Sequence, residues 1–270
     1  MAAPLGLFSV LAFALLLAAS SVTSHNAQEG FSYSGAKGPS NWGHLSSKNS
    51  ACSNGKTQSP VNVVKNQTVL SKSLTPLIRD YHPVNATLVN NGFSIAIVFE
   101  EEVGVLMVGN KNYSFKQMHW HTPSEHYLDG AQYPAELHLV HQAKDGSLAV
   151  AAILYDYGKP DRFLQKIEKG LAEMAQETCG LDEESHVALG FFNPKNIKRS
   201  TRKYYRYIGS TTTPPCTEQV VWNILGKVRT ISKEQVQLLK APLYSDCKNN
   251  CRPVQPLNGR QIQLYDELSH

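Results

Sequence analysis

The sequence predicts a β-dominated protein. Short apolar segments separated by Gly, Pro, Asn and Asp turn signals recur along most of the chain. Several of these segments alternate apolar and polar residues with period two, and only two stretches carry a helical period. Pattern alone leaves a sandwich, a barrel and an open sheet all admissible. The 270 residues suit one large domain or two small ones, and no linker-like break divides them. The expected organisation is a leader over residues 1–24 and one domain over residues 25–270.

In chain order, LGLFSVLAFALLLAA is an uncharged apolar run followed by ASSVTS, which reads as a signal peptide cleaved near Ser24. The run is short for a membrane span of about 20 residues, and no second one follows, so no membrane anchor is expected in the mature chain. Residues 25–60 are rich in Gly, Ser, Asn and Pro and read as an irregular wrap anchored by Phe31, Tyr33 and Trp42. After the Asn90-Asn91-Gly92 turn signal, Phe93, Ile95, Ile97 and Phe99 alternate with Ser94, Ala96, Val98 and Glu100 as in a strand. A further strand is expected to put Tyr113, Phe115, Gln117, His119 and His121 on one face, with Ser114, Lys116, Met118 and Trp120 on the other. A turn-rich segment follows. AELHLVHQ then alternates again, with Glu136, His138 and Val140 sharing a face.

Leu148–Tyr157 is nearly all apolar and suits a strand buried on both sides. The period then changes. Pro160 can open a helix, Phe163, Ile167, Leu171 and Met174 follow at helical spacing, and Gly180 marks a stop. The basic run Lys195, Lys198, Arg199, Arg202, Lys203 and Arg206 is interleaved with Tyr204, Tyr205 and Tyr207 and reads as a solvated loop, not a nucleic-acid patch. Ser232 and Gln235 form a capping box before a short helix to Lys240, and the Pro-interrupted tail ends in a strand, Ile262 to Leu264. A net charge of +4, from 26 basic and 22 acidic side chains, points to no particular partner.

If the strands of His119 and His121 and of His138 are neighbours, the three imidazoles converge. Three neutral imidazoles with a fourth position open make the ligand set of a catalytic zinc site, whereas a structural site closes with four ligands. Gln117 lies on the face of His119 and Glu136 on the face of His138, where each can take the remaining N–H of a metal-bound ring. A bare His-x-His carries little information. The third histidine, with two correctly phased polar partners, changes that.

QMHWHTPSEHYLDGAQYPAELHLVH (117–141) resembles the metal-binding core of the alpha-class carbonic anhydrases, the plant members above all. GPSNW (38–42), QSPVNV (58–63), NNG (90–92), YRYIGSTTTPPCTE (205–218) and RPVQPLNGRQI (252–262) extend the resemblance in the family's order over nearly all the chain after the leader. It implies a large, twisted, mostly antiparallel central sheet with peripheral helices, a Zn2+ cofactor, and CO2 and bicarbonate as the reacting pair. It implies that Thr212 orients the attacking oxygen and that Glu125 receives the Thr212 proton. Thr213 would contact bicarbonate. Val140, Val150, Val220 and Trp222 would line the apolar substrate wall, the Asn250 carbonyl would orient His121, and Tyr33 would belong to the cleft's water network.

Two positions depart from the family. Phe93 stands where many active members have a proton-shuttling histidine, which implies slower turnover limited by proton transfer. Thr211 stands where leucine is more common and alters one wall of the substrate pocket. A weakly active or non-enzymatic storage or secretory protein on the same fold is the alternative. A recognition domain binding carbohydrate or protein at the cleft rim is a third possibility; its mark would be an aromatic cluster beside the cleft.

Five cysteines fit an oxidising compartment. The resemblance implies a Cys52–Cys216 disulfide. Cys247 and Cys251 are close enough in sequence to pair, and Cys179 is the odd thiol. Asn66, Asn85 and Asn112 each begin an Asn-x-Ser/Thr sequon. The expected destination is the secretory route, with the apoplast ahead of vacuole or plastid.

Overall fold

A computed structural model of the chain describes residues 30–176, 185–197 and 202–269. The leader at 1–24, Cys179, the Gly180 stop, Lys198 and Arg199 lie outside them. The strands are β1 (Asn62–Val63), β2 (Val69–Leu70), β3 (Ile78–Tyr81), β4 (Val84–Asn90), β5 (Ile95–Phe99), β6 (Gly104–Val108), β7 (Lys111–His121) and β8 (Tyr127–Leu128), followed by β9 (Ala131–Gln132), β10 (Ala135–Gln142), β11 (Leu148–Tyr157), β12 (Ser185–Phe192), β13 (Lys203–Ser210), β14 (Glu218–Leu225), β15 (Arg229–Ile231) and β16 (Gln263–Asp266). Thirteen of them form one sheet whose main path runs β12-β4-β5-β7-β10-β11-β14-β13-β16-β2. β6 joins β7 to β3, and β15 pairs with β11. Within this sheet, β14 and β15 run parallel to β11 and β2 runs parallel to β16, while the other pairings are antiparallel. The large, mostly antiparallel sheet that the resemblance implies is observed.

Both faces of the central strands are covered, which explains the continuous apolar run of β11. Ala149, Ala151, Ile153 and Tyr155 join the main core with Leu137 and Leu139 of β10, while Val150, Ala152 and Leu154 join a second cluster with Val61, Val220, Trp222 and Ile224 on the other side. The helices are peripheral: α1 (Trp42–Leu45), α2 (Ala51–Asn54), α3 (Glu168–Met174) and α4 (Lys233–Lys240). Among the described residues no helix is long and apolar enough to cross a membrane. α4 carries the predicted capping box, with Ser232 accepting from the Gln235 amide.

Three local expectations are corrected. The basic stretch is not a solvated loop throughout, because Lys203–Ser210 forms β13 and buries Tyr204, Tyr205 and Tyr207. The helix does not start at Pro160. Asp161 accepts from the amides of Phe163 and Leu164 at 2.8 and 3.1 Å, a 3-10 turn covers Leu164–Lys166, and the α-helix begins at Glu168. The four apolar side chains at helical spacing are nonetheless all buried. On β7, Tyr113 and Phe115 do not share the face of the histidines. Val140 pairs with Gln117 but His141 pairs with Phe115, so Lys116 is an extra residue in a β-bulge. The bulge moves Tyr113 and Phe115 into the main core with Met118 and Trp120. A strict period of two cannot anticipate one inserted residue.

Candidate metal centre

The register of β7 and β10 builds the site. His138 lies directly opposite His119, and Glu136 opposite His121. Direct partners in an antiparallel pair stand side by side on one face. The ring centroids lie 5.0 Å apart for His119 and His121, 5.1 Å for His119 and His138, and 4.6 Å for His121 and His138. One ligand atom from each of the three falls within 4.8 Å of the others.

Each ring has one nitrogen engaged by the protein. His119 Nδ1 meets Gln117 Oε1 at 2.8 Å, His121 Nδ1 meets the Asn250 carbonyl at 2.5 Å, and His138 Nε2 meets Glu136 Oε1 at 2.8 Å. Since the partners are acceptors, each engaged nitrogen carries the proton. His119 Nε2, His121 Nε2 and His138 Nδ1 are left as lone-pair donors toward a common point. His121 and His138 are 1% exposed, and His121 Nε2 has no hydrogen-bond partner among the described residues. Burial holds the His119 and His121 imidazoles below their ordinary pKa, and for His119 the neighbouring His121 and His138 add to it. Three imidazoles with one nitrogen each fixed by an acceptor and the others converging fit a zinc ion.

Tertiary structure supplies the support. The Asn250 side chain accepts from the Thr122 amide at 2.8 Å and donates to the carbonyls of Phe93 and Trp120 at 2.9 and 3.1 Å, so its backbone is held in place to receive His121. Glu125 Oε1 accepts from the Arg252 amide at 2.9 Å. The expected Thr212–Glu125 hydrogen bond is not made. Glu125 Oε2 has no hydrogen-bond partner among the described residues and faces His121 Nε2 at 3.4 Å and His138 Nδ1 at 4.0 Å. Thr212 is buried in the loop that follows β13. Thr211 spends its hydroxyl within that loop, donating to the Thr213 carbonyl at 3.1 Å and accepting from the Thr217 amide at 3.0 Å. The predicted disulfide joins Cys52 to Cys216, tying this loop to α2. Cys247 and Cys251 are free thiols.

The apolar wall assembles across three strands. Val140 pairs with Val150, and Val150 with Trp222; Val220 precedes Trp222 by two on β14. The Trp222 ring lies 4.8 Å from His138. Phe93 follows a turn that needs a glycine: Gly92 has φ +84°, and a Cβ there would lie 1.9 Å from the Tyr244 ring. Phe93 packs against Phe31 with the rings tilted and their centroids 4.8 Å apart, and Phe31 also meets Tyr33 and Trp42 at 5.8 and 5.2 Å. The Tyr33 hydroxyl is buried and has no hydrogen-bond partner among the described residues.

One buried chain was missed in the sequence. His126 Nδ1 donates to Glu136 Oε1 at 2.7 Å, and the Tyr207 hydroxyl donates to His126 Nε2 at 2.8 Å and meets Ser59 Oγ at 2.7 Å. Burial pushes the Glu136 carboxyl up, but His126 and His138 and their hydrogen bonds outweigh it and hold the group well below the carboxylate range. Glu136 therefore orients two imidazoles as an anion. The adjacency of Glu125 and His126 was the available signal, but the partner Tyr207 lies 81 residues away.

A mostly antiparallel sheet with three converging histidines at its centre defines a class of metal-site protein, and the comparisons specify it. The eukaryotic-type carbonic anhydrase family matches residues 37–266. Alpha carbonic anhydrase 7 of Arabidopsis thaliana is 40% identical over 267 residues, 96% of this chain and 94% of the relative. Dioscorin dioA3 of Dioscorea japonica is 34% identical, covering 90% and 89%. Among solved structures, dioscorin complexed with ascorbate superimposes with a TM-score of 0.85 at 34% identity over 89% of this chain and 100% of that one. The alpha-carbonic anhydrase of Thermovibrio ammonificans complexed with sulfanilamide gives 0.76 at 34% identity over 87% and 98%. The chain belongs to the alpha carbonic anhydrase family.

Proposed function

We propose that this protein catalyses the reversible hydration of CO2 to bicarbonate and a proton, with a zinc ion held by His119, His121 and His138. The observation that carries the reading is the set of three imidazoles that converge on one point while the remaining nitrogen of each is held by an acceptor. Zinc in such a site acidifies water to a pKa of about 7 and so supplies a nucleophile at neutral pH, a value that belongs to carbonic anhydrases in general. Gln117, the Asn250 carbonyl and Glu136 fix the three tautomers. Val140, Val150, Val220 and Trp222 hold CO2 against an apolar wall. Thr212 orients the attacking oxygen and Thr213 contacts bicarbonate. Phe93 cannot carry a proton, so buffer must remove the proton released in each turnover.

The secretory route is part of the same reading. The leader at 1–24 ends before the domain, the Cys52–Cys216 bridge belongs in an oxidising compartment, and Asn66, Asn85 and Asn112 are all exposed. Likeness to dioscorins, together with Phe93 packed against Phe31, favours a second reading as a weakly active or non-enzymatic storage or secretory protein.

Stopped-flow CO2 hydration at graded buffer concentrations separates the two. The expected result is turnover that climbs with buffer, with Phe93→His raising it at low buffer. Absence of hydration above background in zinc-loaded protein would overturn the enzyme reading. Buffer-independent turnover, unchanged in Phe93→His, would overturn the role given to Phe93.

A further inference from the structure

The three ligand rings are supported unequally. His119 and His138 take their acceptors, Gln117 and Glu136, from two residues back on their own strands. A strand fixes side chains at i and i+2 on one face by itself. His121 instead takes the Asn250 carbonyl, 129 residues away in a stretch without strand or helix. A carbonyl in an irregular segment has no ladder to hold it, so side chains must.

Two braces meet there. One is the Asn250 carboxamide, bonded to the Thr122 amide and to the Phe93 and Trp120 carbonyls. The other is Arg252, which is 2% exposed. Its amide donates to Glu125 Oε1 at 2.9 Å. Its guanidinium donates from Nη1 to Gln58 Oε1 and to the Ser59 carbonyl, both at 2.8 Å, and from Nη2 to the Cys52 carbonyl at 2.9 Å. It also lies 5.8 Å from the Trp42 ring. These partners belong to the N-terminal wrap and the disulfide loop: Trp42 and Cys52 pack with Cys216, and Gln58 donates to the Cys216 carbonyl at 3.1 Å.

All three acceptors are neutral groups, and a buried cation held only by neutral groups is costly. Burial pushes the guanidinium down to about 10, and the Glu125 charge works against that. An apolar side chain of similar size would serve packing alone. A planar fork that reaches three separate acceptors fixes a position, which the single ammonium of a lysine does not.

We infer that Arg252 is a positioning residue for the metal centre: its guanidinium anchors residues 250–252 to the N-terminal wrap, and so sets the Asn250 carbonyl against His121 and the Arg252 amide against Glu125. The effect on metal affinity rests on the zinc reading; the effect on the His121 ring does not.

The test compares Arg252→Met and Arg252→Lys with Arg229→Met. Arg229 pairs with Asp161 at 2.6 Å and lies over Tyr155 in the main core, on the other face of the sheet from His138. Its loss destabilises the fold without touching the brace. Urea unfolding reads stability, competitive chelator titration reads zinc affinity, and heteronuclear NMR of metal-free protein reads solvent exchange of each ring N–H. Both Arg252 variants should weaken zinc binding by about 10- to 100-fold. They should speed exchange at His121 Nδ1 and leave His119 Nδ1 unchanged. Arg229→Met should lose stability and change neither reading. Arg252→Lys keeps the charge and the stem, so it carries the test where Arg252→Met does not fold. The inference alone is overturned if Arg252→Lys matches the unaltered protein, if the Arg252 variants match Arg229→Met, or if His119 and His121 loosen equally. An unaltered protein that binds no zinc would overturn the zinc reading, and ring exchange would still decide the role of Arg252.

Discussion

Five buried or half-buried histidines lie in or between β7 and β10, and they divide into two kinds. His119, His121 and His138 each have one nitrogen hydrogen-bonded and the other directed at a shared point. His126 and His141 have both nitrogens in contact with protein: His126 with Glu136 and Tyr207, His141 with the Tyr81 hydroxyl at 2.6 Å and the Ala149 carbonyl at 3.3 Å. His141 sits three residues after His138, so strand alternation turns it to the opposite face, toward Phe115 and Tyr81 in the main core, and the bulge in β7 brings Phe115 opposite it. Residue type and neighbourhood are nearly the same for both kinds. The availability of the second nitrogen separates a candidate ligand from a structural imidazole.

The sharpest way to break this contrast is to remove rings from each set. His119→Ala, His121→Ala or His138→Ala should abolish stoichiometric zinc and CO2 hydration, whereas His141→Phe should retain zinc in elemental analysis. Zinc retained by a ligand variant, or lost from His141→Phe, would erase the distinction. Next come the acceptors behind the ligands. Gln117→Ala should weaken zinc binding by about 10- to 100-fold in a competitive chelator titration. Glu136→Gln should cost more, because one carboxylate serves both His138 and His126. Equal losses would mean that His126 is not coupled to the site.

His141→Phe tests the closed histidines through stability. It leaves the buried Tyr81 hydroxyl without its imidazole partner, and the cost in urea unfolding should be about 1–3 kcal/mol. Tyr81→Phe in the same background should recover part of it, and a neutral His141→Phe would show that the bond contributes nothing. The smallest effect concerns pH. The folded pKa of His119 and His121 lies below the unfolded value, so the folded protein binds fewer protons. Their contribution to the stability of metal-free protein is complete above about pH 6.5 and is lost as pH falls through and below that value. Thermal melting of chelator-treated protein should show this decline, with a shallower slope in His119→Phe.

Much of the site was legible along the chain because its signals are short-range. His-x-His on a strand, Glu136 two residues before His138 and Gln117 two before His119 are period-two relations that a strand enforces. The buried strand at 148–157 and the capping box at 232–235 were equally local. Less was legible where one residue shifts a register. The insertion of Lys116 becomes visible only when β7 is paired with β10. Asp161 capping the turn before α3 was overlooked because Pro160 beside it is the stronger sign in a sequence.

Relations across long separations required the assembled sheet. Asn250 reaches His121 from 129 residues away, Arg252 reaches Glu125 from 127, and Tyr207 reaches His126 from 81. No periodicity links such residues, and only the family resemblance anticipated the first. Local backbone geometry is sufficient to specify which side chains share a face, so residue order decides the ligands and their nearest acceptors. Which nitrogen stays open depends on what the rest of the fold packs against each ring, and that is settled only when distant segments meet.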